Sequence, residues 1–386
     1  MEFKIFTLNC WGIPMVSADR KERMEAIATA LANSTYDVVC LQEVWSDADF
    51  FLIQEKVKGT LPQSHYFYSG VVGSGVCIFT KHPIIDTHFH KWVINGYVHK
   101  VHHGDWFGGK GVALCKIKFH DYIVNVYSTH LHAEYNRKCD EYYSCRIVQA
   151  YETAQFIQLT TPGADLVVLA GDLNTEPGDL PYRIMTSLPQ LRDSMLEKEN
   201  VEKFSTNLDL KNSYTPSSLI KKQLPGVRID YVLFRAGPST VAILEEYLQP
   251  LPELVPNKRF SYSDHEAITS TIIIKKNEID LSSISLDCRQ DVLNDGIEAL
   301  TKGMISVKGH KIFYWIATLI LLTALILTFC FAVPLPGLFH VLRVLLTLAM
   351  CYTLVMATLW NMMEYNSLYS TKLAMQVTLR GLEFKS

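Results

Sequence analysis

The sequence has no C-x-x-C pair of cysteines and no cluster of cysteine and histidine at the spacing of zinc ligands. Its nine cysteines are scattered, and most of them lie inside apolar runs. A disulfide framework or a zinc site would need a regular pattern, so we expect buried free thiols in a reducing compartment.

The sequence also lacks an excess of basic residues. Lysine and arginine number 36 against 39 acidic residues, which gives a net charge of −3. Proteins that bind nucleic acid usually carry a positive balance to neutralise phosphates, so we expect no nucleic-acid partner. A signal peptide is not expected either, because Met1–Asn9 alternates like a β-strand and has no long apolar core.

Charge is missing from most of the C-terminal region. Ile312–Val333 contains no charged residue, and Leu338–Trp360 contains only His340 and Arg343, both near its start. Each stretch is long enough to cross a bilayer as a helix. The alternative is a buried helical hairpin of a soluble protein, but uncharged runs of this length are rare in soluble cores, so we predict two membrane spans joined by a turn at Pro334–Gly337.

These features divide the chain into five parts. The predicted parts are a catalytic domain over 1–276, a linker and juxtamembrane helix over 277–311, spans over 312–333 and 338–360, and a cytosolic tail over 361–386. Within the first part, short apolar strands alternate with helical patterns, which is typical of an α/β fold.

One strand in the first part ends in a polar motif. Leu166–Ala170 is a run of five apolar residues, typical of a strand buried on both faces, and a glycine then leads into Asp172 and Asn174. Open α/β sheets build their sites at such strand ends. Gly-Asp and Asn are also ordinary turn residues, so this motif alone would not indicate a site.

Other predicted strands end in the same way. The polar residues at these ends are Asn9, Glu43, His130 and the pair Asp264 and His265, while Asp230 lies inside a sixth strand. Each has a simpler explanation as a turn residue, a solvated charge or a core histidine. Their shared position favours a common site, in which Asn9 and Glu43 supply oxygen ligands for a hard divalent cation. Carboxylates, histidines and such a cation suit the attack of water on a phosphate ester.

The order of these motifs resembles the deoxyribonuclease-I-like superfamily of endonucleases, exonucleases, inositol phosphatases and sphingomyelinases. Within it, the chain most resembles the neutral sphingomyelinases of animals, which carry a C-terminal transmembrane hairpin. The strings that carry the resemblance are Leu8–Pro14, Gln42–Trp45, Gly73–Phe79 with Lys81–Pro83, His102–Phe107, Thr129–Arg137, Gly171–Asn174, Arg228–Tyr231 and Ser263–His265.

The resemblance implies a two-sheet α/β sandwich and Mg²⁺-dependent hydrolysis of sphingomyelin to ceramide and phosphocholine. Lyso-phosphocholine lipids are an alternative substrate, since the headgroup chemistry is the same. A nuclease or an inositol-lipid phosphatase of the same fold is a weaker candidate, and so is a catalytically silent membrane scaffold. A homo-oligomer stays open.

The resemblance also implies roles for the strand-end residues. Glu43 would hold Mg²⁺ with Asn9 nearby, and His265 would be the general base, oriented by Asp230. Asp172 would position the water or the metal. The other implied roles are stabilisation of phosphoryl charge by Asn174 and His130 and support of the metal or of His265 by Asp264. The general acid stays open between a metal-bound water and His130.

Lys110 lies in a glycine-rich stretch, Gly108–Gly111, that superficially resembles a phosphate-binding loop. Its spacing does not match the nucleotide-binding pattern, so nucleotide binding is rejected. Our hypothesis is that Lys110 contacts the lipid phosphate while Trp106 and Phe107 contact the membrane or the choline cation. The alternative is a solvated loop.

Basic residues flank the predicted spans on both outer sides: Lys302, Lys308, Lys311, Lys372, Arg380 and Lys385. The positive-inside rule then places both flanks in the cytosol. We therefore expect an integral protein of an internal membrane, the endoplasmic reticulum or the nuclear envelope, with the catalytic domain and both termini cytosolic. The sequon at Asn33 should stay unmodified.

Overall fold

The computed structural model describes residues 1–100, 103–198, 204–276, 287–330 and 336–383. These separate into two units, Met1–Val292 and Leu293–Ser386. The first unit contains two six-stranded mixed sheets with flanking helices, which confirms the predicted two-sheet α/β sandwich.

The first sheet has the strand order β11-β12-β1-β2-β4-β3. Its strands are β1 (Glu2–Asn9), β2 (Val38–Gln42), β3 (Gln63–Tyr66), β4 (Cys77–Thr80), β11 (Thr240–Leu248) and β12 (Ile268–Lys276). The second sheet has the order β5-β6-β7-β8-β10-β9. Its strands are β5 (Ile84–Lys91), β6 (Gly111–Phe119), β7 (Tyr122–His130), β8 (Leu166–Asp172), β9 (Arg192–Asp193) and β10 (Asp230–Ala236).

The helices of the first unit lie between these strands in sequence. They are α1 (Arg20–Ala32), α2 (Asp47–Val57), α3 (Tyr143–Thr160), α4 (Leu180–Ser187), α5 (Ser194–Glu197) and α6 (Ser217–Lys222). Apolar side chains of α1 and α2 pack on one face of the first sheet, in a core that includes Met24, Ile27 and Phe50. The buried residues Met24, Ile27, Ala28 and Leu31 of α1 recur at the helical period, so the sequence by itself predicts a helix that ends at about Ala32.

Side chains alternate between the two faces of each strand, and this alternation builds the core between the sheets. In β1, Phe3 and Ile5 enter the inter-sheet core, while Phe6 and Leu8 pack in the core beneath α1 and α2. In β8, the inter-sheet core takes Leu166, Val168 and Ala170. Every second residue toward the strand end therefore also faces the gap between the sheets.

Several predicted elements have other bounds in the structure. The apolar pattern of the sequence predicts strands over 65–72 and 88–101 and a helix over roughly 137–160. The structure has the strands Gln63–Tyr66 and Ile84–Lys91, and the helix begins at Tyr143. The strand Thr240–Leu248 was not predicted, since its mixed burial hides the alternation. Side chains of this edge strand face both the core and solvent irregularly because a β-bulge interrupts its pairing with β12 at Leu244/Glu246.

The second unit is helical. The helix α7 (Asp287–Cys330) starts in the first unit and joins the predicted juxtamembrane helix to the first apolar stretch, and α8 (Pro336–Val355) forms the second. A π-helical turn, Met356–Trp360, leads into α9 (Asn361–Glu383), so the described part of the predicted tail is helical. Residues 277–286 of the predicted linker, 331–333 of the first predicted span and 334–335 of the predicted turn lie outside the described residues.

The two apolar stretches pair as an antiparallel hairpin. The Thr318 hydroxyl donates to the Thr353 hydroxyl at 2.9 Å, and Arg343 Nη2 donates to the Thr328 carbonyl at 2.7 Å. Many apolar side chains of both helices are exposed, as at Leu319, Ile320 and Leu345. Exposed leucine and isoleucine along two helices long enough to cross a bilayer indicate association with a membrane.

Gly171 is a backbone constraint that joins the fold to the strand end before Asp172. Its φ is +142°, and a Cβ there would lie 2.2 Å from the Thr129 carbonyl oxygen of the neighbouring strand. We predict that Gly171→Ala lowers the melting temperature by several degrees, because it adds a steric clash to the cost of an unfavourable φ. Thermal unfolding followed by circular dichroism measures the change.

The matched control is Gly163→Ala, because Gly163 also has a positive φ, +83°, but no atom lies within 4 Å of the added Cβ. The free energy of unfolding of that variant should fall by only about 1 kcal/mol. Equal losses in the two variants would show that the contact with Thr129 has no special cost.

Candidate active site

Polar side chains replace apolar ones where the inter-sheet core reaches the strand ends. By the alternation of the strands, Asn9 of the first sheet faces the same gap as His130, Asp172 and Asp230 of the second. Register places Asp172 between the other two, since it pairs with His130 on one side and with Asp230 on the other. The strand-end residues that the sequence singled out therefore do converge.

Asn9 lies at the centre of this group. Its side-chain amide donates to Glu43 Oε1 and to Asp172 Oδ2, at 3.0 Å each. Its carbonyl oxygen Oδ1 accepts from the Trp11 backbone N–H at 3.0 Å. Both amide hydrogens of Asn9 are thus used to hold two carboxylates, one from each sheet.

Glu43 follows β2 in a left-handed backbone conformation, with φ 56°. This conformation is uncommon outside glycine and reverses the direction that strand alternation would give the side chain. The second carboxylate oxygen of Glu43, Oε2, is buried and has no hydrogen-bond partner in the described structure. Burial, with the nearby charge of Asp264, raises the pKa of Glu43.

A divalent cation fits this carboxylate. A buried carboxylate oxygen without a partner is costly unless it is protonated or meets a cation. Carboxylate and amide oxygens are the ligands that hard divalent cations prefer. A second group offers ligand atoms within 4.8 Å of one another, from Asp172, Asp230 and His265. The site is therefore a candidate divalent-metal site.

His265 is held by a carboxylate. Its Nδ1 lies 2.8 Å from Asp230 Oδ2, and its Nε2 lies 4.0 Å from Asp172 Oδ2. Burial lowers the pKa of His265, but the charges of Asp230, Asp172 and Asp264 outweigh it and raise the pKa well above the ordinary value. With its proton on Nδ1 toward Asp230, the neutral ring leaves Nε2 as a base.

His130 lies in the opposite electrostatic environment. Burial and the charge of Lys110 lower its pKa well below the ordinary value, so the ring is neutral. Lys110 Nζ lies 3.3 Å from His130 Nε2 and also donates to the Leu131 carbonyl at 3.3 Å. His130 Nε2 also lies 3.4 Å from Asp172 Oδ2, whereas Nδ1 is a buried atom with no hydrogen-bond partner among the described residues.

Lys110 is 3% exposed, so it does not belong to a solvated loop. Its ammonium forms an ion pair with Asp105 at 2.7 Å. Asp105 begins the short 3₁₀ helix Asp105–Phe107, in which Trp106 and Phe107 are half-buried and in contact with each other. His102 of the same sequence string lies outside the described residues.

Two residues near this ion pair were missed by the sequence analysis. The Tyr135 hydroxyl donates to Asp105, and His132 Nε2 lies 3.6 Å from the same carboxylate. His132 stands two residues after His130, just beyond the end of β7. The string Thr129–Arg137 contained both residues, but no periodic signal could link them to Asp105, which is distant in sequence.

The remaining predicted residues hold the others in place. Asn174 donates through its side-chain amide to the Leu131 carbonyl at 2.9 Å and to Asp172 Oδ2 at 3.3 Å. Its own backbone N–H donates to Asp172 Oδ1 at 2.9 Å. Asp264 Oδ1 lies 3.3 Å from the Ser263 hydroxyl oxygen, and burial raises the pKa of Asp264.

The sequence of the chain is similar to that of known proteins. The profile of the Endonuclease/Exonuclease/phosphatase family matches residues 6–265. A putative neutral sphingomyelinase of Drosophila melanogaster is 35% identical, over 98% of this chain and 97% of its own. Human sphingomyelin phosphodiesterase 2 is 40% identical, over 71% of this chain and 65% of its own. An inositol phosphosphingolipids phospholipase C of Schizosaccharomyces pombe is 34% identical, over 72% and 70%.

Solved structures show the same fold. Sphingomyelinase C from Streptomyces griseocarneus superposes with a TM-score of 0.54 at 20% identity, covering 70% of this chain and 99% of that one. A beta toxin from Staphylococcus aureus, solved with bound magnesium ions, gives a TM-score of 0.52 at 20% identity with the same coverage. At this identity the likeness supports the fold of the first unit.

The raised carboxylate pKa values predict that metal binding depends on pH. Burial and Asp230 raise the pKa of Asp172 to about 7, and that of Glu43 is raised too. A proton therefore occupies Asp172 below about pH 7 and competes with a cation there. We predict that a fixed concentration of Mg²⁺ raises the melting temperature more at pH 8 than at pH 6.

Glu43→Gln should abolish most of this stabilisation, and without metal it should melt at the wild-type temperature or above, because it removes an unpartnered buried charge. Glu22→Gln makes the same chemical change at an exposed position of α1 and should behave as wild type. If Mg²⁺ stabilised the Glu43 variant as much as the wild type, Glu43 would not be a metal ligand.

Proposed function

Because the chain belongs to the endonuclease/exonuclease/phosphatase family and, within it, to the neutral sphingomyelinases, we propose that water attacks the phosphodiester of sphingomyelin at this site. The enzyme is a sphingomyelin phosphodiesterase, and its products are ceramide and phosphocholine. The observation that carries the chemistry is the pairing of His265 with Asp230 beside a buried carboxylate oxygen that lacks a partner.

His265 acts as the general base in this proposal. Asp230 accepts the Nδ1–H and fixes the tautomer, so Nε2 removes a proton from the attacking water. The water oxygen forms a bond to phosphorus, and the bond from phosphorus to the ceramide oxygen breaks. The ceramide oxygen then takes up a proton.

Neutral donors stabilise the phosphate as the bonds change. His130, whose Nε2 lies 3.4 Å from Asp172 Oδ2, donates to a phosphoryl oxygen. Lys110, in contact with His130 Nε2, supplies positive charge next to the same group. Asn174 uses both amide hydrogens to hold Asp172 and the Leu131 carbonyl, so its predicted donation to phosphate would require it to exchange one of them.

The cation in this proposal is Mg²⁺, held by Glu43 with Asn9 beside it. Bound Mg²⁺ would polarise a phosphoryl oxygen and neutralise charge on the phosphate. Asp172 and Asp264 keep the surroundings negative, which favours a cation over a neutral ligand. The magnesium ions bound to the bacterial toxin of the same fold support this choice.

A second headgroup merits testing because a yeast relative, 34% identical, is named an inositol phosphosphingolipids phospholipase C. Lyso-phosphocholine lipids merit testing as well, since they present the same headgroup as sphingomyelin. We expect the purified full chain, with Mg²⁺, to release phosphocholine from sphingomyelin faster than it cleaves inositol phosphosphingolipids, lyso-phosphocholine lipids or DNA. Mass spectrometry of the products measures each reaction.

His265→Ala serves as the inactive control in this panel and should lose about 10²–10⁴-fold in rate, the usual contribution of a general base. Asp230→Asn should also lose rate, because the amide cannot accept the Nδ1–H. If the inositol phosphosphingolipid were cleaved faster than sphingomyelin, it would be the preferred substrate. Wild-type rates in both variants would contradict the base assignment.

The proposed topology places the catalytic domain and both termini in the cytosol, with the turn between the spans on the far side of an internal membrane. Basic side chains on both outer flanks support it. The sequon residue Asn33 is exposed at the end of α1, so a luminal domain would offer it for glycosylation. We predict that protease added to intact microsomes digests the catalytic domain.

Glycosidase treatment should not change the gel mobility of the wild-type chain, which should migrate like the Asn33→Gln variant. A protected domain together with a mobility shift that Asn33→Gln abolishes would reverse the topology.

A further inference from the structure

A buried arginine contacts the backbone next to the site but is not among the site residues described above. Arg23, on α1, is 0% exposed, and it is the largest fully buried side chain of the described residues. Among those residues no carboxylate forms an ion pair with it. A buried charge without an ion-pair partner is costly, so its retention needs an explanation.

The guanidinium is satisfied by backbone carbonyls. Nη1 donates to Cys10 O at 2.7 Å and Nη2 to Trp11 O at 2.7 Å, while Nε donates to Ala18 O at 2.9 Å. Nη1 also donates to Tyr262 O at 3.3 Å. The planar group lies 4.8 Å from the Trp11 ring centroid, which adds a cation–π contact.

These carbonyls belong to two segments that carry the site. Cys10 and Trp11 directly follow Asn9, which holds the carboxylates of Glu43 and Asp172. Tyr262 stands three residues before His265 in the loop that enters β12. A second bond joins the same segments, from the Ser263 hydroxyl to the Asn9 carbonyl at 2.6 Å.

We infer that Arg23 is a positioning residue: its guanidinium fixes the Asn9 segment against the His265 loop and so sets the distance between the metal-holding side and the base. The inference rests on the proposed function. Three separate nitrogen atoms of one planar group reach carbonyls in different directions, which a lysine ammonium with a single nitrogen cannot reproduce.

The test is Arg23→Lys in the full chain, which keeps the positive charge and changes the geometry. We expect kcat on sphingomyelin to fall about tenfold or more with KM little changed, since misplacing a reacting group by about 1 Å can cost about 100-fold. Hydrogen exchange should become faster at the backbone amides of both 10–18 and 260–265.

The matched control is Ile27→Val on the same helix, which removes one buried methyl group and leaves the guanidinium of Arg23 in place. It should lower the melting temperature while leaving kcat and the exchange of both segments unchanged. An Arg23→Lys variant with wild-type kcat below its melting temperature, or with faster exchange in only one segment, would overturn the positioning role. Absence of sphingomyelin hydrolysis by the wild type would instead refute the proposed function, and the exchange measurement would still decide whether Arg23 couples the segments.

Discussion

A neutral amide between two buried carboxylates is the interaction on which the site depends. Asn9 of the first sheet donates one hydrogen to Glu43 and the other to Asp172 of the second sheet. An aspartate in its place would add a third negative charge and donate nothing. A lysine would neutralise the carboxylates and compete with a cation. Asparagine joins the sheets and leaves the negative charge available for a metal.

The surrounding charges separate the roles of the two histidines. Carboxylates face His265 and raise its pKa, whereas Lys110 and burial lower the pKa of His130. His265 is thereby suited to accept a proton, whereas His130 is a neutral hydrogen-bond donor. Environments that push the pKa values of two groups apart commonly separate acid and base roles. A bound cation would add positive charge beside both rings and so lower the pKa of His265 toward the range of a working base.

The sequence predicted the ends of the buried strands better than it predicted the contacts around them. Apolar runs that end in Asn9, His130 and Asp172 identified the strand ends, because a buried strand leaves a clear apolar pattern in the sequence. The alternation of side chains along the strand then determines which face of the sheet each residue occupies. The direction of the Glu43 side chain could not be predicted in this way, since its left-handed backbone turns the side chain against strand alternation. The ion pair of Lys110 and Asp105 could not be predicted either, because it depends on a loop rather than on a repeating period.

The element bounds show the same limit. The buried strand β8 was predicted from its apolar run, whereas the edge strand β11 has a bulge and a mixed pattern that obscured it. The helix α3 was predicted to begin several residues too early because the turn before it contains helix-compatible residues such as Glu141. Local patterns identify buried elements well, but tertiary contacts decide where exposed elements begin.

If Glu43 holds a divalent cation beside the pair of His265 and Asp230, crystals should show that cation. Anomalous X-ray diffraction from crystals of the full chain grown with Mn²⁺, a stand-in for Mg²⁺, would locate it. We expect an anomalous peak within about 2.5 Å of a Glu43 carboxylate oxygen, the range of metal–oxygen bonds. A fully occupied Mn²⁺ elsewhere in the protein, with none at Glu43, would contradict it.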